Sequence, residues 1–345
     1  MERQTIHFII NPISGTTRKS RIPKWIETNL DTDKYDYCIS ETTYAGEAAE
    51  IADKAKRDGV NIVVAVGGDG TVNEVARSIA GSDTALGIIP SGSGNGLARH
   101  LMIPLLPRRA IELINRGETH KLDYGIINGN PFFCTCGMGF DAFISHKFAE
   151  AGRRGLVTYV EQVIREGFKY RPEKYIIEDG DGNKVEYEAV LVSCANASQY
   201  GNNAYIAPQA SMRDGLFDVI VIEPFDLIET PQLLVELMNK TLDKSPLIKT
   251  FRANNITVHR QSAGYIHYDG DPVMSSADVN IRLVSEGVRV IVNANANKAK
   301  RRPNAVQLAF SDIFNDISEI REEIIRQARS VQGLNKTIID KINRL

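Results

Sequence analysis

The sequence predicts an α/β domain with a parallel sheet, followed by a second, antiparallel β-rich domain and a C-terminal amphipathic helix. Three observations predict this plan. Strand-like and helix-like segments alternate as far as residue 121, β-type segments dominate from residue 124, and a heptad-like pattern follows residue 303. We therefore divide the chain into residues 1–122, 123–297 and 298–345.

The first domain is predicted to alternate strands with helices. Residues 62–66 form a continuous apolar run, as expected of a strand that is buried on both faces of a sheet. Alternation of this kind favours a parallel sheet with helices on both sides. The predicted strands are 6–10, 35–40, 62–66 and 86–89, and the predicted helices are 21–29, 45–58 and 71–80.

The second domain is predicted from short β-type runs. The sequence Asp-Gly-Asp-Gly at residues 179–182 is typical of a hairpin turn between two of them. Helical insertions are predicted at residues 141–168 and 230–242. The predicted strands are 131–136, 174–178, 185–195, 217–222, 255–259, 265–268, 279–283 and 288–293.

A polar linker at residues 295–303 precedes the predicted C-terminal helix. Apolar residues recur in this helix at intervals of four and three, which indicates a heptad-like apolar stripe. The stripe fits docking on the body of the protein and self-association into a homo-oligomer equally well. Its members are Ile313, Ile317, Ile320, Ile324, Val331, Leu334 and Ile338.

The bulk composition narrows the classes of function. The chain has 345 residues, 43% of them hydrophobic, and a net charge of −2, so no global basic field favours binding to nucleic acid. The N-terminal residues lack the apolar core of a signal peptide, and no apolar run reaches the roughly 20 residues of a membrane-spanning helix. We therefore expect a cytoplasmic protein with at most peripheral membrane contact.

The strongest local motif is Gly67-Gly-Asp-Gly-Thr71, which follows the buried strand and opens a helix. Glycines let a backbone approach a phosphate closely, and a helix N-terminus adds positive potential. Asp69 is expected to orient the ligand shell of a magnesium ion or to hydrogen-bond a nucleotide. Thr71 is expected to cap the helix while its hydroxyl contacts a phosphate. An ordinary turn with a helix cap is the alternative interpretation.

Two further polar loops follow neighbouring strands. Pro90-Ser-Gly-Ser-Gly-Asn95 comes after the strand at 86–89, and Asn11-Pro-Ile-Ser-Gly15 comes after the first strand. Adjacent loops at the carboxyl ends of parallel strands face one crevice, so the three loops are expected to converge on a polyphosphate. They match neither the Walker A loop nor the dinucleotide-binding fingerprint, because Gly-Lys-Ser/Thr and Gly-x-Gly-x-x-Gly are absent.

Together with a late Asp269-Gly-Asp271, these motifs resemble those of the diacylglycerol kinase catalytic family, which includes bacterial lipid kinases, sphingosine kinases and ceramide kinases. The order and spacing of the four motifs fit over residues 4–295. The Gly-Gly-Asp-Gly loop alone is shared with NAD kinases and phosphofructokinases. The resemblance therefore implies a phosphofructokinase/NAD-kinase-like fold for the first domain.

The resemblance also implies an activity. It implies an ATP-dependent lipid kinase that transfers the γ-phosphoryl group to a hydroxyl of a membrane lipid, either diacylglycerol or a sphingoid long-chain base. ATP would lie in the cleft between the two domains, and the lipid would be met by peripheral contact at the inner face of a membrane. The residues implied for the ATP site are Asn11, Pro12, Ser14, Gly15, Thr42, Thr43, Gly67, Gly68, Asp69, Gly70, Thr71, Asn73, Glu74, Gly92, Ser93 and Asn95.

Asp269 is the general base that the resemblance implies, accepting the hydroxyl proton while Mg²⁺ offsets charge on the transferring phosphoryl group. Asp271 and Asp69 complete the implied catalytic set. The family usually has glutamate at position 271, so the shorter side chain of Asp271 leaves its role open. For Asp269-Gly270 alone, a hairpin turn is the alternative.

A structural magnesium site is implied by the segment at residues 211–218. Asp214 and the carbonyl oxygen of Leu216 would be its ligands. Arg213 stands where an additional acid is common in the family, and a plain Asp-Gly turn is the alternative interpretation.

Two other functions remain open from the sequence. A soluble-substrate kinase of the NAD kinase type explains residues 67–71 and the two-domain plan, but it leaves the other two loops unexplained. A non-catalytic nucleotide or lipid binder is the second alternative. The Gly-Ser-Gly-Asn form of the third motif is closer to sphingosine-kinase-like members, although that motif is implied to contact ATP rather than lipid.

Overall fold

The computed structural model describes residues 3–15, 21–150, 166, 170–226 and 229–294. The predicted C-terminal helix lies outside the described residues, so self-association through it stays a prediction. None of the described helices combines the length and the apolar character needed to cross a bilayer.

The described residues form sixteen strands and seven α-helices. The helices are α1 (Ile22–Asn29), α2 (Glu47–Arg57), α3 (Asp69–Ile79), α4 (Gly96–His100), α5 (Pro107–Arg116), α6 (Phe140–Glu150) and α7 (Thr230–Asn239). The strands are β1 (Gln4–Ile10), β2 (Tyr35–Glu41), β3 (Ile62–Gly67), β4 (Ala85–Pro90), β5 (Thr119–Ile127), β6 (Asn130–Phe132), β7 (Thr135–Gly139), β8 (Glu173–Asp179), β9 (Lys184–Ala189), β10 (Leu191–Ala195), β11 (Phe217–Ile222), β12 (Ile248–Ala253), β13 (Asn255–Arg260), β14 (Gly264–Tyr268), β15 (Asp271–Ser275) and β16 (Asp278–Ile291).

The larger of the two sheets has ten strands, eight of them in the order β2-β1-β3-β4-β16-β13-β8-β9, with β5 beside β16 and β6 beside β5. The four strands β2, β1, β3 and β4 are mutually parallel, which confirms the predicted α/β half. Every residue of β3 and of β4 is buried, because helices cover both faces of the sheet. The rest of the sheet is antiparallel.

Strand β16 joins the two halves of this sheet. It pairs in parallel with β4 and antiparallel with β5 and β13. Two strands were expected at 279–283 and 288–293, but they form one strand with a register shift between Val284 and Val288. Glu286 takes the left-handed conformation (φ 50°) at this irregularity, and its backbone N–H donates to Asp123. A bulge, rather than a turn, therefore explains the polar interruption.

The second sheet has six antiparallel strands in the order β12-β11-β10-β7-β14-β15. The run predicted as one strand at 185–195 is divided between the sheets, because β9 belongs to the large sheet and β10 to the second. Side chains alternate along β10 and β11. Val192 and Val219 face a sandwich core shared with the large sheet, whereas Leu191 and Ile220 face outward towards α7. The second sheet thus has apolar side chains on both faces.

Helices α6 and α7 correspond to the predicted insertions. Helix α6 begins one residue before the predicted start, and most of the predicted continuation to residue 168 lies outside the described residues. Helix α7 ends at Asn239, and Lys240 then adopts a left-handed conformation (φ 62°). Short 3-10 turns at Leu242–Lys244 follow it.

Candidate functional site

Polar loops meet at the carboxyl edge of the parallel strands, as the sequence predicts. The backbone N–H of Ser91 donates to Gly67 O at 2.8 Å, and the backbone N–H of Asn11 donates to Val66 O at 3.0 Å. The loop after β2 joins them, since the N–H of Gly46 donates to the Glu74 carboxylate at 3.1 Å. Because each bond links a different pair of segments, the loops form one continuous surface.

Two glycines permit this close approach. A Cβ atom on Gly15 would lie 1.7 Å from Ser91 O, and Gly15 also has a φ of +64° that side chains disfavour. A Cβ atom on Gly92 would lie 2.5 Å from the Cα atom of Gly68. Three of the predicted nucleotide loops are therefore packed backbone against backbone.

Helix α3 begins at Asp69, two residues earlier than predicted, so Thr71 does not cap it. The residue before the helix is Gly68, and no side chain caps the N-terminus. The hydroxyl oxygen of Thr71 instead accepts a hydrogen bond from Asn11 Nδ2 at 3.0 Å. Because no cap residue occupies this end of α3, its backbone N–H groups suit an anionic ligand.

The carboxylate of Asp69 holds the third loop in place. It accepts hydrogen bonds from the backbone N–H groups of Asn95 at 2.8 Å and Gly96 at 2.6 Å. Burial raises the pKa of Asp69, and these two hydrogen bonds oppose the rise. The side chain of Asn95 bonds within its own loop, to the N–H and carbonyl groups of Gly92. Asp69 and Asn95 therefore shape the loop.

The predicted threonines lie beside this surface. Thr42 is buried and its N–H donates to Ile10 O at 2.9 Å. The hydroxyl of Thr43 donates to the Glu47 carboxylate at 2.8 Å, and its backbone N–H donates to the same oxygen, which lowers the pKa of Glu47. Thr43 thus fixes the start of α2.

Asp269 is the centre of the contact between the two halves of the molecule. Its Oδ1 accepts from the N–H groups of Cys134 at 2.7 Å and Thr135 at 3.0 Å. Its Oδ2 accepts from the N–H of Phe133 at 2.8 Å and from Asn73 Nδ2 at 2.7 Å. These four donors fill the acceptor positions of a carboxylate. Asn73 belongs to α3, so the predicted base is attached to the predicted nucleotide loop.

Burial and hydrogen bonding act in opposite directions on the pKa of Asp269. Burial raises the pKa of Asp269, and the hydrogen bonds from Phe133, Cys134, Asn73 and Thr135 oppose that rise. Burial also raises the pKa of the Cys134 thiol well above its ordinary value, and the charges of Asp269 and Asp69 raise it further. The thiol is therefore neutral near pH 7. Because the charges of both aspartates affect this one thiol, the two carboxylates lie in the same region of the site.

A cavity of about 430 Å³ opens beside Asp269. One end is polar and is lined by residues of the loops and of the contact between the halves, namely Asp69, Asn73, Ser93, Gly94, Thr135 and Asp269. The other end lies on the outer face of the second sheet, under α6 and α7. It is lined by apolar side chains, among them Leu191, Ile206, Ile222, Phe225, Leu233, Leu237 and Leu242. An elongated molecule with one polar end fits such a cavity.

Asp141, His267 and Tyr200 line the cavity and were not among the predicted site residues. Asp141 and His267 are buried and form a pair, with His267 Nε2 at 3.0 Å from Asp141 Oδ2. The hydroxyl of Tyr200 donates to the same carboxylate oxygen at 3.3 Å. The alternation of Ile266, His267 and Tyr268 placed a polar side chain on one face of a strand, which was the available signal in the sequence.

Two predicted sites lie away from the cavity. Asp271 is exposed at the start of β15 and does not line the cavity. Asp214 contacts Arg252 Nη1 at 3.4 Å, and Asp218 contacts Arg252 Nε at 3.2 Å. A guanidinium group thus provides positive charge beside the implied magnesium ligands. In the part of the chain that the structure describes, no cluster of three or more His, Cys, Asp or Glu residues is arranged for a metal ion.

Comparison with known proteins places this geometry in a family. The sequence model of the diacylglycerol kinase catalytic domain matches residues 5–127. The model of the YegS C-terminal NAD kinase beta sandwich-like domain matches residues 134–292. The diacylglycerol kinase of Bacillus subtilis is 27% identical over 269 residues, which are 76% of this chain and 88% of the relative. Protein sll0036 of Synechocystis sp. is 29% identical over 256 residues, 70% of this chain but 59% of that relative's own length.

Solved structures share the fold. A diacylglycerol kinase from Bacillus anthracis superposes with a TM-score of 0.66 at 19% identity, over 86% of this chain and 99% of that one. An NAD kinase from Archaeoglobus fulgidus, solved in complex with ATP, gives a TM-score of 0.52 at 13% identity, over 85% and 96% of the two chains. At these identities the likeness concerns the fold alone. The two matched domains, the loops and the shared fold agree: residues 5–127 belong to the diacylglycerol kinase catalytic domain family, and a YegS C-terminal NAD kinase beta sandwich-like domain follows at residues 134–292.

Proposed function

We propose that the protein is an ATP-dependent lipid kinase that transfers the γ-phosphoryl group of ATP to a hydroxyl group of a membrane lipid. The observation that carries the proposal is the cavity. Its polar end contains Asp269 and residues of the glycine loops, and its other end is apolar and large enough for a hydrocarbon chain. Burial of each methylene group there contributes about 0.8 kcal/mol to binding.

The loops fit a nucleotide. The uncapped N-terminus of α3 offers backbone N–H groups to a phosphate. Space is open at Gly70, where a Cβ atom would meet nothing within 4 Å. Ser91 Oγ and Asn73 Oδ1 are buried atoms for which the described residues provide no hydrogen-bonding partner. We assign the phosphates of ATP to the surface formed by residues 11–15, 67–74 and 91–95.

The same surface offers few oxygen ligands for Mg²⁺. Mg²⁺ takes oxygen ligands and usually few of them from the protein, with phosphate oxygens and water as the others. Among the described residues Asn73 Oδ1 has no hydrogen-bonding partner, whereas the carboxylate of Asp69 already accepts two backbone N–H groups. Bound Mg²⁺ would offset negative charge on the transferring phosphoryl group.

Asp269 is the proposed general base. A raised pKa makes a carboxylate a stronger proton acceptor, which suits removal of a proton from an alcohol. All four of its hydrogen bonds are made in this structure, three to backbone groups and one to the side chain of Asn73. Rotation of Asn73 would release Oδ2 for the acceptor hydroxyl while the backbone bonds still hold the carboxylate.

Phosphorylation of a lipid also requires that the protein contact a membrane. We propose peripheral contact of a cytoplasmic protein with the inner membrane face, through which the apolar end of the cavity receives its lipid. Exclusion of water from that end would favour transfer to the lipid hydroxyl over hydrolysis of ATP.

The test is phosphorylation of a panel of acceptors with labelled ATP and Mg²⁺ in mixed micelles. The panel contains diacylglycerol, monoacylglycerol, dihydrosphingosine, ceramide and phosphatidylglycerol, with NAD as the soluble acceptor. We expect label on lipid and none on NAD. Label on NAD alone would contradict the proposal in favour of a soluble-substrate kinase, and ATP binding without any labelled product would indicate a non-catalytic binder.

A further inference from the structure

We propose that the buried pair Asp141–His267 is a second polar subsite of the cavity, which binds a hydrogen-bond donor of the acceptor lipid other than the hydroxyl that is phosphorylated. This inference rests on the proposed lipid kinase function and specifies its substrate class. The class is a lipid with at least one donor group besides that hydroxyl, such as a monoacylglycerol or a long-chain base, rather than diacylglycerol.

The pair is built into the outer face of the second sheet. His267 lies on β14 directly opposite Gly137 of β7. A Cβ atom on Gly137 would lie 2.4 Å from Asp141 Oδ2 and 3.1 Å from His267 Nε2. The glycine therefore provides the space in which the carboxylate and the imidazole meet. Asp141 and His267 are 5% and 2% exposed, so the contact is made away from solvent.

The hydrogen bonds around Asp141 determine which nitrogen of the His267 imidazole carries the proton and which can accept a hydrogen bond from a ligand. The Asp141 carboxylate has three donors around it, namely Ala142 N at 2.8 Å, the Tyr200 hydroxyl at 3.3 Å and His267 Nε2 at 3.0 Å. The proton of a neutral His267 therefore belongs on Nε2, and Nδ1 is left as an acceptor. Nδ1 is buried, and no described residue is its hydrogen-bonding partner. Such an atom is costly unless a ligand donates to it.

The charge of the cavity points to the same ligand class. Among the described residues that line it are three carboxyl groups, those of Asp69, Asp141 and Asp269, and neither lysine nor arginine. A hydroxyl or an ammonium group is favoured in such surroundings, whereas the phosphate of an anionic lipid is disfavoured. His267 and Asp269 are two residues apart in the chain and line the same cavity, so one small headgroup can contact both.

Diacylglycerol has no second donor. It has one hydroxyl, and its two ester groups only accept hydrogen bonds. It would leave Nδ1 of His267 without a partner, and a site built to receive a donor discriminates against a ligand that lacks it. A monoacylglycerol offers a second hydroxyl, and dihydrosphingosine offers a hydroxyl and an ammonium group.

The experiment compares three acceptors in mixed micelles, namely 1-monooleoylglycerol, dihydrosphingosine and 1,2-dioleoylglycerol. For the unmodified protein we expect the highest kcat/KM with one of the first two. In Asp141→Asn and His267→Gln, kcat/KM for the preferred acceptor should fall by about tenfold or more, the size expected for a lost hydrogen bond to a buried charged or polar pair. The value for dioleoylglycerol should stay within about threefold.

Ser245→Ala is the matched control, because Ser245 is buried in the same half of the molecule and is not among the described residues that line the cavity. It should leave the ratio between acceptors unchanged. Equal losses with all three acceptors in both variants would show that the pair is only structural and would overturn the inference. Preference of the unmodified protein for dioleoylglycerol would overturn it as well.

Equilibrium binding of the same lipids, measured without ATP, separates this inference from the proposed function. If no lipid is phosphorylated but monooleoylglycerol or dihydrosphingosine binds and Asp141→Asn weakens that binding, the subsite stands and the kinase proposal fails. If lipid is phosphorylated and both variants bind and turn over all acceptors like the unmodified protein, the kinase proposal stands and the subsite fails.

Discussion

Two half-buried aspartates organise the two halves of this molecule, and each bonds to residues at a very different separation in the chain. Asp69 holds the backbone of Asn95 and Gly96, which lie on the next strand-to-helix loop of the same sheet. Asp269 holds the backbone of residues 133–135 and the side chain of Asn73, which lies 196 residues away. The first aspartate shapes one loop, whereas the second attaches the β-rich half to the loop half.

The two carboxylates have similar environments but different proposed tasks. Burial raises the pKa of both, and backbone N–H groups oppose the rise in both. Asp269 has in addition a side-chain donor, Asn73. We therefore propose that Asp69 is a structural anchor of the nucleotide surface and that Asp269 is the group that exchanges a proton.

The largest effect is expected at Asp269. Asp269→Asn removes the proposed base, and kcat/KM for the lipid acceptor should fall by about 10²- to 10⁴-fold. Asp181→Asn is the matched control, because Asp181 also precedes a glycine in a turn but is exposed and far from the cavity. It should behave like the unmodified protein. Retention of more than a tenth of the activity by Asp269→Asn would make Asp269 an anchor like Asp69.

Gly92 and Gly70 should respond to alanine in opposite directions. The added methyl group at Gly92 meets the backbone of Gly68, and overpacking of this kind typically costs about 1–3 kcal/mol. At Gly70, in the first turn of α3, the methyl group meets nothing, and alanine should stabilise the helix by up to about 1 kcal/mol. Thermal denaturation without nucleotide measures both. A lower Tm for Gly70→Ala would contradict the open space at this position.

Asp69→Asn should act on stability and nucleotide affinity more than on proton transfer. The amide keeps one acceptor oxygen and turns an N–H group towards the other backbone donor, at a cost of about 1–2 kcal/mol. We expect a lower Tm and a higher KM for ATP, with the pH dependence of kcat unchanged. A kcat loss as large as that of Asp269→Asn at saturating ATP would show that Asp69 takes part in the chemistry.

The smallest expected effect is a shift in the pH dependence of kcat/KM. The base must be ionised, so activity is lost as pH falls through the raised pKa of Asp269, at a higher pH than for an exposed aspartate. The hydrogen bond from Asn73 lowers this pKa, and Asn73→Ala should therefore move the acidic limb of the kcat/KM profile to higher pH. Asn280→Ala, on the exposed side of β16, should leave the limb in place. A shift to lower pH in Asn73→Ala would contradict the assignment.

Activity should rise with pH through the titration of Asp269, whereas the free energy of unfolding should fall with pH. Because burial raises the pKa of Asp69 and Asp269 above the ordinary value of 3.8, the folded protein holds these protons more tightly than the unfolded chain does. Their contribution to the free energy of unfolding therefore falls as pH rises from the ordinary to the raised values. Denaturant titrations over this window measure the slope, which Asp69→Asn should reduce.

The loop half was predictable because its signals are local. Each loop motif directly follows an apolar run, and parallel strands bring such loops to one edge. Prediction from local patterns was wrong at residues 185–195, where the chain passes from the large sheet to the second sheet. Ala189, Val190 and Leu191 lie in a run without glycine or proline, so one strand was predicted where two sheets each take a part. Two strands, 279–283 and 288–293, were likewise predicted where one strand continues through a bulge.

The contact between Asp141 and His267 could not be predicted from local sequence patterns. The two residues are 126 positions apart, and their contact depends on the register that sets His267 opposite Gly137. Neither residue stands in a distinctive motif of its own. Strand register follows from the packing of the whole sheet, so the polar lining of the cavity becomes visible only when the strands are paired.

The position of β16 has a consequence for how the protein is made. Strand β4 is buried along its whole length, and its outer neighbour β16 comes from residues 278–291. On the ribosome, the parallel half is therefore complete in sequence long before its last edge is covered. An unpaired apolar edge invites association with other chains. The nascent chain needs protection until β16 emerges, and a fragment that stops at residue 122 should aggregate when it is expressed alone.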